Sequence, residues 1–401
     1  MVQTPAIAAP RPELMTLIEQ HGERLRKELH AHHRSIFPPE AQKTIRNFSA
    51  SETAQLLGIA EGYLRQIAGE RGQPSGPKNG RRAYSVKDIG ELRQQLDQGS
   101  RGARRYLPHR REGEHLQVIT VMNFKGGSAK TTTTAHLAEW LALHGYRTLA
   151  IDLDPQASLS TLFGLQPELD VGPNETLYGA IRYDEERRPL AEIVRATYIP
   201  DLHIIPGNIE LQEFEYETPR ALMKRQPGDT MFFARVGQAI AEAQNHYDVV
   251  VIDCPPQLGY LTLSALTAAT AVLITIHPQK LDVMSMSQFL QMTGDLLRTV
   301  AEAGASTSYD WMKYLITRFE PGDGPQNQIV AFLRSILTDS VLVHPMLKST
   351  AISDAGLTNQ TIFEVDRRQF TKTTYDRALE SANNVNSEIE ALMKGAWGRA
   401  S

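Results

Sequence analysis

The sequence predicts an α/β protein whose larger part is a doubly wound, mainly parallel sheet. Two observations predict this class: from Leu116 onward short apolar runs alternate with helical segments, and a glycine-containing loop separates the first run from a helix. Continuous apolar strands between helices are typical of a parallel sheet covered on both faces. The strands are predicted at residues 117–122, 148–153, 202–205, 249–252, 271–276 and 311–317.

The composition is that of a soluble globular protein with room for two or three domains. The chain has 401 residues, of which 41% are hydrophobic and 22% are charged. It contains neither an apolar stretch long enough for a transmembrane helix nor a secretion signal, so we expect a cytoplasmic protein without membrane attachment. The single cysteine, Cys254, excludes an internal disulfide framework and a cysteine-only metal cluster within one chain.

The charge is distributed unevenly along the chain. Residues 1–116 carry 19 Lys/Arg and 13 Asp/Glu, whereas the remainder carries 23 and 33. A basic first part on an acidic body suggests a nucleic-acid contact in that first part. A solvated basic linker would explain the charge equally well.

Residues 12–33 are predicted to form an amphipathic helix that ends before Pro38-Pro39. The stripe that predicts it consists of Leu14, Leu17, Ile18, Leu25 and Leu29. The stripe packs either on its own chain or on a second copy. We favour pairing, which makes residues 1–43 a dimerisation segment.

Residues 44–98 are predicted to form a small helical domain. Ser51 can cap a helix that runs to Leu57, and Gly58 ends it. A second short helix covers residues 59–68. A Gly/Pro-rich stretch and a basic extended segment follow, and then a third helix over residues 86–96.

The order of these elements resembles a winged helix-turn-helix of the MerR kind, which binds DNA. Arg65 lies on the candidate recognition helix, and Arg81 and Arg82 would form a wing against DNA phosphates. A helical domain used only for protein contacts is the alternative. Residues 99–115 have the composition of a basic linker, and the α/β domain covers residues 116–401.

The loop after the first strand of the α/β domain is predicted to bind phosphate groups. A strand, a glycine-containing loop and a helix present backbone N–H groups and a helix N-terminus to an anion. Lys130 can reach the β- and γ-phosphates of a nucleotide, and the Thr131 hydroxyl can ligate Mg²⁺. The residues predicted to contact the nucleotide are Lys125, Gly126, Gly127, Ser128, Ala129, Lys130, Thr131 and Thr132.

The amino-acid sequence of this loop deviates from the strict Walker A pattern, GxxxxGK[ST]. Ala129 stands before Lys130 where that pattern has glycine, and the form that fits is KGGxxK[ST] with the additional Lys125. Lys125 can point towards a nucleotide held by a facing subunit. A cation placed there would stabilise phosphate charge as an arginine finger does.

Three aspartates follow apolar strands. Asp152 and Asp154 come at the end of the second strand, and Asp253 follows the run Val249–Ile252. A carboxylate at the carboxyl end of a parallel strand faces the crevice above the sheet edge. We therefore predict that Asp253 holds Mg²⁺, that Asp154 orients the attacking water and that Asp152 supports the metal or the loop.

Together these segments resemble the ParA/MinD family of deviant Walker P-loop ATPases over about residues 116–395. The motifs are the loop from Lys125, Asp152-Leu-Asp-Pro-Gln, Asp253-Cys-Pro-Pro and His277-Pro-Gln. The resemblance implies an ATPase that uses ATP and Mg²⁺ and forms an ATP-sandwich homodimer in which Lys125 reaches across. It also places Pro278 near the adenine or the dimer interface.

With its N-terminal domain, the chain resembles the large plasmid-partition ATPases, and its whole length resembles the RepA group of repABC plasmids. The resemblance implies plasmid segregation with a ParB-type centromere-binding partner, repression of its own operon and association with the nucleoid. Lys348 matches a DNA-contacting residue of smaller relatives, but Ala351 stands where they have an arginine. Non-specific DNA binding would then use other surfaces, such as Arg318 or Arg334.

Two other functions compete. One is a transcription repressor that uses ATP only as a conformational switch. The other is a MinD-like membrane ATPase, which the short, weakly amphipathic tail from Glu388 disfavours. A nitrogenase-reductase-like role would need two cysteines per subunit and is excluded by the lone Cys254.

Overall fold

The computed structural model describes residues 13–36, 43–70, 82–99 and 105–399. The chain divides into one unit up to Lys43 and a second from Thr44 onward. The first unit contains one described helix, α1 (Leu14–Ile36). Four of its apolar side chains are exposed: Leu14, Met15, Ile18 and Leu25. Its pairing with a second copy stays a prediction.

The second unit begins with a small set of helices and a two-stranded antiparallel ribbon. Its elements are β1 (Phe48–Ser49), α2 (Ala50–Leu57), α3 (Glu61–Glu70), β2 (Ala83–Tyr84) and α4 (Val86–Gly99).

The cap of α2 differs from the prediction. Ser49, not Ser51, accepts a hydrogen bond from the Glu52 backbone N–H, and the Glu52 carboxylate accepts one from the Ser49 backbone N–H. This reciprocal capping box satisfies the backbone N–H groups of Ser49 and Glu52 at the helix start. A cap at Ser51 would leave these two donors without partners. Gly58 ends α2 with φ 63°, as predicted.

The α/β architecture with a mostly parallel sheet is confirmed. Seven strands lie in the order β5-β6-β4-β7-β3-β8-β9, and all neighbours are parallel except β5 and β6. The strands are β3 (Gln117–Met122), β4 (Thr148–Asp152), β5 (Arg195–Ala196), β6 (Leu202–Ile205), β7 (Val249–Asp253), β8 (Ala271–Ile276) and β9 (Trp311–Ile316). The short antiparallel β5 was not predicted.

Helices cover both faces of this sheet. They are α5 (Lys130–Leu143), α6 (Ser158–Leu162), α7 (Pro167–Asp170), α8 (Leu177–Ile181), α9 (Leu190–Ile193), α10 (Gln212–Lys224), α11 (Phe232–Glu242), α12 (Tyr260–Ala268), α13 (Lys280–Glu302), α14 (Gly324–Leu337), α15 (Thr350–Leu357) and α16 (Lys372–Ala396). Alternate residues of β3 enter two different cores: Ile119 and Val121 one, Val118 and Met122 the other. This alternation follows from the period of two along a strand.

The N-terminal elements share a core with the α/β domain. Phe48, Leu57 and Leu64 belong to the same buried cluster as Leu141 of α5 and Tyr375 of α16. The helices of residues 44–99 therefore pack on the face of the sheet that α5 and α16 cover.

Part of the predicted basic linker is bound to the α/β domain. The Arg110 backbone N–H donates to the Asp248 carboxylate at 2.8 Å, and Arg399 donates to the carbonyl oxygens of Pro108 and His109 at 2.9 and 2.8 Å. None of the helices in the described part of the chain is long and apolar enough to cross a membrane.

Candidate nucleotide-binding site

The loop of residues 123–129 connects β3 to α5 at the carboxyl edge of the sheet. Gly127 and Ala129 both adopt positive φ, 77° and 65°. L-residues rarely adopt this conformation, so a loop of this shape favours glycine at position 129. No side chain caps the start of α5. The first N–H groups of this helix are therefore left for an anion.

Lys130 lies beneath this loop and is buried. Its Nζ donates to the Lys125 carbonyl oxygen at 3.1 Å. Burial lowers the pKa of the ammonium, while the charges of Asp253 and Asp154 raise it. The ammonium is thus hydrogen-bonded to the loop and lies near the carboxylates of Asp253 and Asp154.

Thr131 and Asp253 meet at the first turn of α5. The Thr131 hydroxyl donates to Asp253 Oδ2 at 2.7 Å, and the Thr134 hydroxyl donates to Oδ1 at 3.4 Å. Asp253 is fully buried, and its pKa is raised well above the usual range by burial and, next, by the neighbouring Asp152 carboxylate.

Asp152 is paired with Asp253 across adjacent parallel strands β4 and β7. Asp152 accepts hydrogen bonds from the Ser160 backbone N–H at 2.8 Å and from the Ser160 hydroxyl at 2.7 Å. Burial raises its pKa to about 6 against these hydrogen bonds. Two buried carboxylates side by side are a place where a divalent cation would relieve repulsion and desolvation.

Asp154 lies two residues further on and is partly exposed. Its carboxylate accepts a hydrogen bond from the Gln156 backbone N–H at 2.9 Å. Gly207, after β6, lies against this segment, where a Cβ would be 2.9 Å from the Asp154 carbonyl oxygen and 3.0 Å from Asp152 Cγ. Only a glycine leaves the two aspartates in this position.

Lys125 has an ionic partner within its own chain. Its ammonium pairs with the Asp282 carboxylate at the start of α13, and His277 Nδ1 lies 3.7 Å from the same carboxylate. Pro278 is buried in the segment between them. The loop after β8 thus lies beside the phosphate loop, on the side away from Asp152.

The residues predicted to bind DNA are not part of this cluster. Arg65 is exposed and pairs with Glu61 on the same helix, and Arg82 is exposed at the start of the ribbon. Arg81 lies outside the described residues. Lys348 forms an exposed ion pair with Glu320 at 2.8 Å.

Several residues at the site were missed by sequence reasoning. Asp282, Ser160, Gly207, Thr317 and Arg318 each contact the predicted loop or aspartates. Gly207 and Thr317 could have been found because Thr317 ends a predicted strand and Gly207 comes two residues after another, both at the same sheet edge. The described part of the chain contains no group of three or more His, Cys, Asp or Glu that could hold a metal ion, so a metal here would need hydroxyl and phosphate oxygens in addition to the carboxylates of Asp152 and Asp253.

The fold and the loop define a P-loop nucleotide-binding protein with a deviant Walker A motif. A model of the AAA domain family matches residues 116–303. The chain is 64% identical over 388 residues to a putative replication protein A of Rhizobium rhizogenes, and the match covers 96% of each chain. It is 29% identical to protein SopA of Escherichia coli K12, over 90% of this chain and 92% of SopA.

A solved structure described as a partition protein has the same fold. The TM-score is 0.60 at 19% identity, over 90% of this chain and 98% of the other. On the sequence matches and the loop, the chain belongs to the ParA/MinD family of P-loop ATPases for plasmid partition.

Proposed function

We propose that this protein is a plasmid-partition ATPase that hydrolyses ATP to ADP and phosphate and dimerises on ATP. In this proposal it binds DNA on the nucleoid, works with a ParB-type centromere-binding partner and represses its own operon. The observation that carries the ATPase part is the meeting of Asp152, Asp253 and Thr131 below an uncapped helix N-terminus. A ligand with anionic groups and a bound cation fits both features.

The phosphates of ATP would lie on the loop and the first turn of α5. There Lys130 would exchange its bond to the Lys125 carbonyl for bonds to phosphate oxygens. Because Lys130 is buried, its charge is poorly screened and would stabilise phosphate charge strongly.

Mg²⁺ fits the residues around Thr131. The Thr131 hydroxyl and the Asp253 carboxylate would hold it, with Asp152 as support. The cation, when bound, neutralises charge on the phosphates and lowers the pKa values that burial raises at the two aspartates. The hydrogen bond that Thr131 donates to Asp253 keeps the two side chains close together.

Asp154 would orient the water that attacks the γ-phosphate. It is partly exposed at the mouth of the site, whereas Asp152 and Asp253 are completely buried. A carboxylate that must accept a proton from an incoming water needs this access.

Lys125 would act on the nucleotide of a facing subunit. Its side chain is 46% exposed and is held by Asp282 on α13. The lysine is the more exposed partner, since the Asp282 side chain is only 11% exposed, so the ammonium can turn towards phosphate charge that a second subunit presents. The Lys125–Asp282 pair would then be the resting position of the lysine.

The N-terminal elements would read DNA as a winged helix-turn-helix. The antiparallel ribbon β1–β2 and the exposed position of Arg82 support a wing, and exposed Arg65 on α3 supports a recognition helix. Lys348 would add a sequence-independent contact, because its surface pair with Glu320 leaves it accessible to phosphates.

Plasmid retention in a host that carries the complete partition system tests this function. Lys130→Ala should cause plasmid loss, whereas Lys224→Ala, at the exposed end of α10, should not. Hydrolysis by the purified protein should rise when DNA and the partner are added. Stable plasmids in the Lys130→Ala strain, together with hydrolysis that ignores DNA and partner, would favour the repressor that uses ATP only as a switch.

A further inference from the structure

The segment that follows the edge strand β9 holds the outer side of the phosphate loop. The buried Thr317 hydroxyl donates to the Ser128 carbonyl oxygen at 3.0 Å. The Arg318 guanidinium donates through Nη1 to the Gly127 carbonyl oxygen at 3.1 Å. Two successive residues thus hold two successive carbonyl groups of the loop.

The backbone of Arg318 is strained. Its φ is 52°, in the left-handed region that glycine, asparagine and aspartate tolerate best. The residue is exposed, so burial of its side chain does not offset this cost. Strained residues of this kind persist where the conformation serves a site.

A phosphate loop needs its carbonyl groups turned outward. The backbone N–H groups of the loop bind the anion. If a peptide group flips, its carbonyl oxygen takes the position of its N–H group and repels the phosphate. Gly127 and Ala129, both at positive φ, flank the two peptide groups that Arg318 and Thr317 hold. Because glycine rotates freely, the Gly127–Ser128 peptide is the one most able to flip.

We propose that Arg318 is a positioning residue of the nucleotide site: its guanidinium holds the Gly127 carbonyl outward and so keeps the Ser128 N–H directed at a nucleotide phosphate. The inference rests on the proposed binding of ATP at this loop. It assigns to Arg318 a role different from the non-specific DNA contact expected from the sequence. Arg318 also acts on the neighbouring loop, since its charge contributes, after burial, to the lowered pKa of His277.

Arg318→Gly is the informative substitution, because glycine adopts the same backbone conformation without strain but lacks the guanidinium. We expect its dissociation constant for Mg-ATP to rise about tenfold, which corresponds to the loss of one hydrogen bond to a charged group. The melting temperature of the nucleotide-free protein should stay equal or rise, since strain is relieved. Arg318→Lys, which keeps a donor, should recover part of the affinity.

Arg334→Ala is the matched control. Arg334 is an exposed arginine that also donates to a backbone carbonyl, that of Val343 at 2.7 Å, but on α14. Its removal should leave ATP affinity unchanged. Wild-type affinity in Arg318→Gly, with or without a loss of DNA binding, would overturn the positioning role. A wild-type chain that binds no ATP would instead overturn the proposed function, and the inference with it.

Discussion

The nucleotide site and the junction between residues 44–99 and the α/β domain are built in opposite ways. The site collects side chains at or beyond the carboxyl ends of β3, β4, β7, β8 and β9, and the sheet itself brings these ends together. The junction depends on single side chains that reach backbone groups far away in the sequence. Arg46 donates to the Phe363 carbonyl oxygen, 317 residues away.

Arg93 of α4 is the centre of this junction. It is 6% exposed and donates to the carbonyl oxygens of Leu56 and Leu143 at 3.0 Å each and of Tyr106 at 3.3 Å. Leu143 is the last residue of α5, so the cation lies at the negative end of the helix whose other end faces the phosphate site. Burial lowers the pKa of Arg93 to about 10, which leaves it charged at neutral pH.

The two regions should therefore respond to different measurements. Substitutions at the nucleotide site should change nucleotide chemistry and leave the fold intact, whereas substitutions at the junction should change stability and leave ATP affinity intact.

Among the substitutions that should keep ATP binding, the largest effect is expected for Lys125→Gln, which removes the charge but keeps most of the length. Hydrolysis should fall about 10³-fold or more, as in the loss of an arginine finger, and the ATP-dependent dimer should weaken. ATP binding by the monomer should persist because Lys130 and Thr131 remain. Turnover at saturating ATP and equilibrium nucleotide binding measure the two effects separately.

Mixed dimers show whether Lys125 acts across the interface. When Lys125→Gln subunits are mixed with Asp154→Ala subunits, one site of each mixed dimer carries both lesions and the other is intact. Partial activity should return. Mixtures as inactive as either parent would show that Lys125 serves the nucleotide of its own chain.

Asp154→Ala should have the next largest effect. Its hydrolysis should fall about 10²-fold or more, since the carboxylate contributes general-base or orienting catalysis to the chemical step. ATP binding and dimerisation should remain. Loss of nucleotide affinity with normal turnover per bound ATP would assign Asp154 to metal binding instead.

The sequence predicts the nucleotide site better than the junction, because the two regions are built differently. Lys130, Asp152 and Asp253 are recognisable because each is the first or last residue of a regular element whose partners the parallel topology fixes. Arg93 stands in a helix among other polar residues, and its acceptors become its neighbours only after the domains dock. For the same reason the binding of Arg110 to Asp248 was missed and residues 99–115 were predicted as a linker.

Junction substitutions should have intermediate effects, on stability alone. Arg93→Met leaves buried carbonyl groups without their donor and should lower the free energy of unfolding by about 1–3 kcal/mol. Gly145→Ala should also destabilise, because φ is 91° there and a Cβ would lie 2.6 Å from Arg93 Cδ. Urea unfolding of both single variants and the double variant measures this.

The double variant is the control for the cause. If the clash with Arg93 contributes, the double variant should lose less free energy of unfolding than the sum of the two single losses, as expected for contacting residues. Simple additivity would show that only the backbone strain at Gly145 matters. A changed ATP affinity in Arg93→Met would break the separation between the two regions.

The smallest effect is expected on the DNA side. Arg82→Ala should weaken binding to all DNA sequences about equally and reduce the slope of log affinity against log salt by about 0.9. Arg81→Ala should behave in the same way, whereas Arg65→Ala should change the choice of operator sequence. Unchanged operator binding by a chain that lacks residues 1–110 would contradict a DNA-binding role of the N-terminal domain.

Turnover of Mg-ATP by the purified full-length Lys130→Ala protein shows whether the loop of residues 123–129 binds the phosphates of ATP. Lys130 is the buried cation of the loop. We expect that removal of its ammonium group abolishes ATP binding or hydrolysis while the protein remains folded. Lys224→Ala, the exposed control, should turn over ATP at the wild-type rate. Normal turnover by a well-folded Lys130→Ala protein would contradict the assignment of the phosphate loop.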